Sequence, residues 1–419
     1  MRGLSGGDDR RQWIELAVAV TAVGVIYLAV YRGSHELLMS RRKNKHALRP
    51  RQWKSLFTEE GILTDGGVFF WSEDGGSKLL EKVRSGGVDP SIRAEVWPFL
   101  LGVYDLDSSE KERESVRKKK RKEYEMLRKQ CQSLLTQGKW FDLLKLFTNA
   151  AADYADSQRT IRLDAVRADD EWATYSPSQA ALVSKTKAHK EAESVGLKLH
   201  ITVDYEDLEP RRIFHAARLV AILEAYAMYD PEIGYCQGMS DLLAPIITVM
   251  EKDDEAFWCF VGFMKMARDN FRRDGTGIER QLSIISRIIR GKDVTLYRHL
   301  EKLQAADCHF VYKMLMVLLR RVLSFEQTLC LWEVMWADQA AIREGIAESD
   351  WGRSPPVDDL FLYAIAACVL QQRDSILECS SMEDIISEFN SMAGRLDVWK
   401  LLDDAHDLVV SLVTLHDKI

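Results

Sequence analysis

Between Asp230 and Met250 the chain reads DPEIGYCQGMSDLLAPIITVM. Met239, Leu242, Leu243, Ile246, Ile247 and Met250 fall there at the i, i+3, i+4, i+7 offsets of one buried helical stripe. Gln237 stands in the first turn of that predicted helix, roughly opposite the stripe, beside Gly238, which allows close backbone approach. Upstream, Phe214, Leu219, Ile222, Leu223 and Tyr226 lie near one stripe of a helix over 214–229, and the short turn after Asp230-Pro231 should pack the two side by side. The helical period continues from about Arg84 to the end of the chain. Pro90 opens one helix, Pro210 and Pro231 bracket another, and Pro355-Pro356 precede a third, whereas Pro245 falls inside its helix and predicts a kink. Leu360 to Leu370 is apolar for eleven residues, too short to cross a bilayer and suited to a core helix.

Strand-like alternation is weak. GGVFFW over 66–71 and ITVDY from Ile201 to Tyr205 are isolated candidates, so the expected class is all-α. The stretch from Asp169 to Lys198 is polar and weakly periodic, and reads as an exposed loop or a partly helical insertion.

A different pattern occupies the N-terminal 50 residues. WIELAVAVTAVGVIYLAVY, Trp13 to Tyr31, carries Glu15 as its only charge. As a helix it would measure about 28 Å, close to the ~30 Å hydrocarbon thickness of a bilayer. Three basic residues precede it and seven follow within twenty positions, a bias that predicts a single-pass anchor with the body of the chain in the cytosol. The alternative is a helix buried in the protein's own core. The expected division is a tail over 1–50 with the anchor at 13–31, a lead-in over 51–84, a helical domain over 85–396 with its insertion at 169–198, and a C-terminal helix over 397–419.

Composition narrows the chemistry. Of 419 residues, 47% are hydrophobic and 29% charged, which describes a globular chain, and the net charge of −7 argues against general nucleic-acid binding. The run from Glu110 to Lys129 is locally basic; it reads as a solvated helix or as a patch for acidic lipid or an acidic partner. Seven scattered cysteines without a CxxC pair read as reduced thiols, and nine histidines show no metal-ligand spacing. No GxxxxGK[ST] loop is present, so the chain has no usual means of holding a nucleotide itself.

A second polar constellation lies just before the insertion. TIRLDAVRADD, Thr160 to Asp170, sets Asp164 and Arg167 at i, i+3, a spacing that lets the carboxylate orient the guanidinium. IRLDAVR resembles the IxxDxxR motif, and GYCQGM the YCQGM motif, of the TBC domain of Rab GTPase-activating proteins. GGVDPSIRAEVWPFLLGVYDLDS, with Arg93 and Val96-Trp97 of an RxxVW element, resembles that domain's N-terminal signature, while FEQTLCLWEVMWAD and ILECSSMEDIISEFNSMAG are similar to its C-terminal half. The likeness runs in order from about Ser85 to Leu396.

The resemblance implies an all-helical TBC fold that supplies Arg167 as an arginine finger and Gln237 as a glutamine finger to a GTP-bound Rab. Asp164 would orient Arg167, Arg93 would support the site or the fold, Trp97 would belong to the core, and Tyr235, Cys236 and Gly238 would shape the turn that presents Gln237. No cofactor or metal is implied. The chain would not be a GTPase but an activator that completes a Rab's site, at a membrane reached through residues 13–31 and in the service of vesicle trafficking. The rival expectation is a helical adaptor that binds a Rab or another membrane partner without accelerating hydrolysis.

Overall fold

The computed structural model describes residues 46–64, 76–136, 149–168, 175–176, 180–181, 183–197, 208–346 and 356–416. The anchor candidate at 13–31 and both strand candidates, 66–71 and 201–205, lie outside them. The N-terminal helices are α1 (Pro50–Ser55), α2 (Ser77–Gly86), α3 (Arg93–Leu100) and α4 (Glu110–Thr136). The next five are α5 (Asn149–Arg167), α6 (Lys185–Ser194), α7 (Pro210–Tyr229), α8 (Met239–Val249) and α9 (Asp253–Ala267). Then come α10 (Thr276–Lys292), α11 (Val294–Lys302), α12 (Tyr312–Met316) and α13 (Phe325–Arg343). The last four are α14 (Leu360–Gln371), α15 (Arg373–Glu378), α16 (Met382–Ser391) and α17 (Val398–His416). Among the described residues, extended pairing is limited to two isolated bridges.

Two helices organise the packing. α7 opens on Pro210, whose missing N–H costs nothing at a helix start, and it touches α4, α5, α6, α8 and α9. Leu219, Ile222, Leu223 and Tyr226 are buried as their spacing predicted, and Phe214 is half-buried. α13 begins with a capping box, Ser324 and Gln327 each satisfying the other's backbone N–H, and packs against α2, α3, α14 and α17. Its apolar residues face all round, which suits a helix enclosed by others. α8 runs unbroken through Pro245 with its whole predicted stripe buried, and α14 is the expected core helix.

The RxxVW element holds α3 to α13. Arg93 donates from Nε to Glu333 at 2.7 Å and forks onto Glu326 at 3.0 and 2.9 Å, while the Trp97 indole N–H reaches Glu333 at 3.1 Å. Arg93 therefore serves the fold, and Trp97 is core. The basic run forms most of α4, where Glu114, Glu255 and Asp254 pair with Arg117, Lys118 and Arg121. None of the seven cysteines forms a disulfide, and five are buried.

Where it is described, the 169–198 segment is partly helical, as one of the two expectations had it, but it is not wholly exposed. Its second half is α6, whose Ala188 and Ala192, followed by Val195 and Leu197, are buried beside α7, and Tyr175 stacks on Phe325 at 4.2 Å between ring centres. These parts are packed into the body. Within α6 the buried stripe is only Ala188 and Ala192, too small to raise the periodic signal above the surrounding lysines and glutamates.

His215 on α7 is fully enclosed, and burial, reinforced by the Arg218 charge, pushes its imidazole down to about 3. The folded chain holds it neutral while the unfolded chain protonates it near pH 6.5, so its contribution is intact above about pH 6.5 and is lost as pH falls toward 3. Asp338, pushed up to about 6 by burial, works in the opposite direction, favouring the fold as pH falls from 6 toward the ordinary carboxylate range. Chemical unfolding of parent and His215→Gln at pH 7 and pH 5 isolates the histidine. The parent should lose stability relative to the variant by about 1.4 kcal/mol per pH unit below pH 6.5, and equal pH slopes would refute the assignment.

Candidate functional site

An open groove of about 520 Å³ lies between α5, α8 and the chain leading into α13, and Arg167 and Gln237 both line it. Arg167 is the last residue of α5, exposed, where a cation also meets the negative end of the helix. Gln237 is exposed in the turn before α8 rather than in its first turn, as the sequence suggested. The reason is Gly238, whose φ of +104° is left-handed and breaks the helical path one residue after the glutamine. A Cβ there would lie 3.1 Å from Val317, so both conformation and space favour glycine. Neither Arg167 nor Gln237 makes a hydrogen bond or ion pair with another described residue.

Asp164 behaves differently from its expected role. The i, i+3 spacing suggested a direct hold on Arg167, but its carboxylate accepts a 2.8 Å hydrogen bond from the Tyr235 hydroxyl, and it is bonded to Arg167 by no described contact. The bond joins the helix that carries the arginine to the turn that carries the glutamine. Burial raises the Asp164 carboxyl above its usual range, offset in part by the Tyr235 bond and by the Arg167 charge acting through space. Burial, with the Asp164 charge adding to it, holds the Tyr235 hydroxyl well above its usual range, so it remains a donor. Cys236 anchors the same turn, its thiol donating to the Phe271 carbonyl at 3.4 Å.

Sequence reading missed the residue that seats α5. Arg162, wholly buried, lies 2.7 Å from Glu224 of α7 and donates to the carbonyls of Gln158, Val195 and Gly196 at 2.8, 2.8 and 3.1 Å. Arg128 of α4 reaches the other Glu224 oxygen at 3.3 Å. It also missed Arg321, which bonds Asp241 on the groove's rim. A larger cavity, about 1320 Å³ between Trp53, α4 and Trp258, contains none of the sequence-predicted finger or turn residues and mixes lysines and arginines with glutamates. Among the described residues no cluster of His, Cys, Asp and Glu could hold a metal ion.

Such a groove can offer another molecule one guanidinium and one amide that are paired with no other described residue. The sequence profile of the Rab-GTPase-TBC domain matches residues 167–348. Rab GTPase-activating protein 22 of Arabidopsis thaliana is 53% identical over 472 aligned residues, which cover 91% of this chain and 82% of that protein. GTPase-activating protein gyp7 of Schizosaccharomyces pombe is 27% identical across 85% of this chain, which spans 41% of gyp7. The Ypt/Rab-GAP domain of Gyp1p superposes with a TM-score of 0.59, covering 90% of this chain and 99% of that domain; at 15% identity the likeness is one of fold. With its all-helical fold and a relative this similar over most of both lengths, the chain belongs to the Rab-GTPase-TBC domain family.

Proposed function

We propose that this chain accelerates GTP hydrolysis by a Rab GTPase, lending Arg167 and Gln237 in trans to the partner's bound GTP. The observation that carries the reading is that these two exposed side chains, bonded to no other described residue, one at the end of α5 and one before α8, line the same groove. In phosphoryl transfer, charge develops on the γ-phosphoryl oxygens and on the oxygen bridging to the β-phosphate, where a guanidinium stabilises it. A side-chain amide can accept a hydrogen bond from the attacking water through its carbonyl oxygen and so set its direction. The Asp164–Tyr235 bond ties the end of α5 that carries the arginine to the turn that carries the glutamine, which matters because a misplacement of about 1 Å can cost roughly 10² in rate.

Single-turnover hydrolysis by a panel of GTP-loaded Rabs, with and without the full chain, tests the proposal. Acceleration of at least one Rab is the expected result; binding to a GTP-loaded Rab with no acceleration of any would favour the adaptor instead.

The same reading places the domain on the cytosolic face of a membrane, tethered through residues 13–31 and acting on Rabs that direct vesicle traffic. Confining both partners to one surface raises their effective concentration. The tether rests on the apolar run and its basic flank, since no helix among the described residues is long and apolar enough to cross a membrane. After alkaline carbonate extraction of cells expressing the full chain, it should remain in the membrane pellet. Release into the supernatant would remove the anchor from the account and leave the activator standing.

A further inference from the structure

Arg321, in the chain between α12 and α13, is bound side-on to Asp241 in the first turn of α8. Its Nε lies 3.1 Å from Oδ1 and its Nη2 2.8 Å from Oδ2. A guanidinium carries five N–H donors in a planar fork, and this pairing uses one edge of it. The other edge, formed by Nη1 and the second Nη2 hydrogen, donates to no described residue. The Arg321 side chain is 63% exposed although it is held, and both partners line the groove that holds Arg167 and Gln237. An ion pair this exposed contributes at most ~1 kcal/mol to folding. Its main physical effect is on direction: a long side chain that would otherwise sample many rotamers is fixed with a two-pronged donor edge open.

We propose that Arg321 is an oxyanion-docking residue, whose open edge receives a pair of carboxylate or phosphate oxygens from the docked GTP-bound partner, and that Asp241 is the positioning residue that aims it. The inference rests on the activator reading and deepens it, since it names a third polar contact of the same groove and the chemistry of what it meets. A planar fork matches two oxygens at once, which an ammonium cannot do.

The test is single-turnover hydrolysis by a Rab that the unaltered full chain activates, at varied activator concentration, for Arg321→Ala, Arg321→Lys and Asp241→Asn. If the oxyanion is a carboxylate of the partner, Arg321→Ala raises the half-saturating concentration roughly tenfold, leaves the saturating rate within about twofold, and flattens the salt dependence of kcat/KM. If it is a phosphate of the nucleotide, the saturating rate falls by a similar factor instead. In either case Arg321→Lys recovers only part of the loss, and Asp241→Asn, which keeps the arginine but loosens it, shows a smaller loss of the same kind, with thermal unfolding close to the parent in all three. Unchanged kinetics in Arg321→Ala, or full function in Arg321→Lys, would overturn the proposal. Failure of the unaltered chain to accelerate any Rab is a separate result, and it would remove the activator reading on which this inference stands.

Discussion

Arg167→Ala should lose nearly all acceleration of GTP hydrolysis, by about 10³ to 10⁵ in the saturating rate, the range for an arginine supplied in trans to a GTPase. The loss should fall on the rate and leave folding intact. Arg167 is exposed at the end of α5 and bonded to no described residue, so its removal opens no cavity and strands no buried charge. Arg167→Lys should recover little, because a lysine presents one ammonium where the transition state offers several oxygens to a planar fork. Gln237→Ala should also lower the saturating rate, and the double variant should be little worse than Arg167→Ala, since groups that act as a unit are not additive. The measurement is single-turnover hydrolysis at saturating activator, with unfolding curves run in parallel. A variant retaining more than about a tenth of the parent's acceleration would contradict the assignment of Arg167.

The largest effect on stability should come from Arg162→Ala. Arg162 and Glu224 are both fully excluded from solvent, and burial alone raises the Glu224 carboxyl, with Arg162 and Arg128 opposing that rise. Removing the arginine strands the carboxylate against one remaining cation and takes away the donor that ties α5 to the Val195 and Gly196 carbonyls just after α6. Breaking a buried pair in this way costs about 3 to 5 kcal/mol, so the melting temperature should fall by something on the order of 10 °C. Combining Arg162→Met with Glu224→Leu should restore much of the loss, because an apolar pair of similar volume carries no desolvation penalty. Calorimetry on the three proteins checks both statements. A single variant as stable as the parent would mean that α5, and with it Arg167, is seated by something other than this pair.

What could be read from the chain beforehand follows from the range of each interaction. The stripes of α7, α8 and α14 repeat every three or four residues, and periodicity alone located them. Gln237 was legible as an outward residue near the start of α8, but its place in the preceding turn depended on the left-handed backbone of Gly238. Pairings across distant parts of the chain left no such trace. Asp164 meets Tyr235 across 71 positions and Arg321 meets Asp241 across 80. Local spacing therefore gave Asp164 its nearest basic neighbour on the helix, whereas the fold gave it a buried tyrosine hydroxyl. Arg162 carried no signal at all, being one arginine among many until Glu224 is brought beside it. The family resemblance supplied what spacing could not, namely which exposed arginine and which glutamine belong together, and the groove brings those two into one place.

The central claim, that Arg167 and Gln237 complete a GTPase's site in the transition state, is tested most directly by binding to a transition-state mimic. A Rab that the chain activates would be loaded with GDP, and its affinity for the full chain measured with and without aluminium fluoride, which occupies the position of the transferring phosphoryl group. The account predicts binding tighter by about 10² or more when the mimic is present, since catalytic groups favour the transition state over the ground state. That gain should disappear in Arg167→Ala and in Gln237→Ala. Equal affinity with and without the mimic, unchanged in both variants, would contradict the account and leave the groove as a docking surface alone.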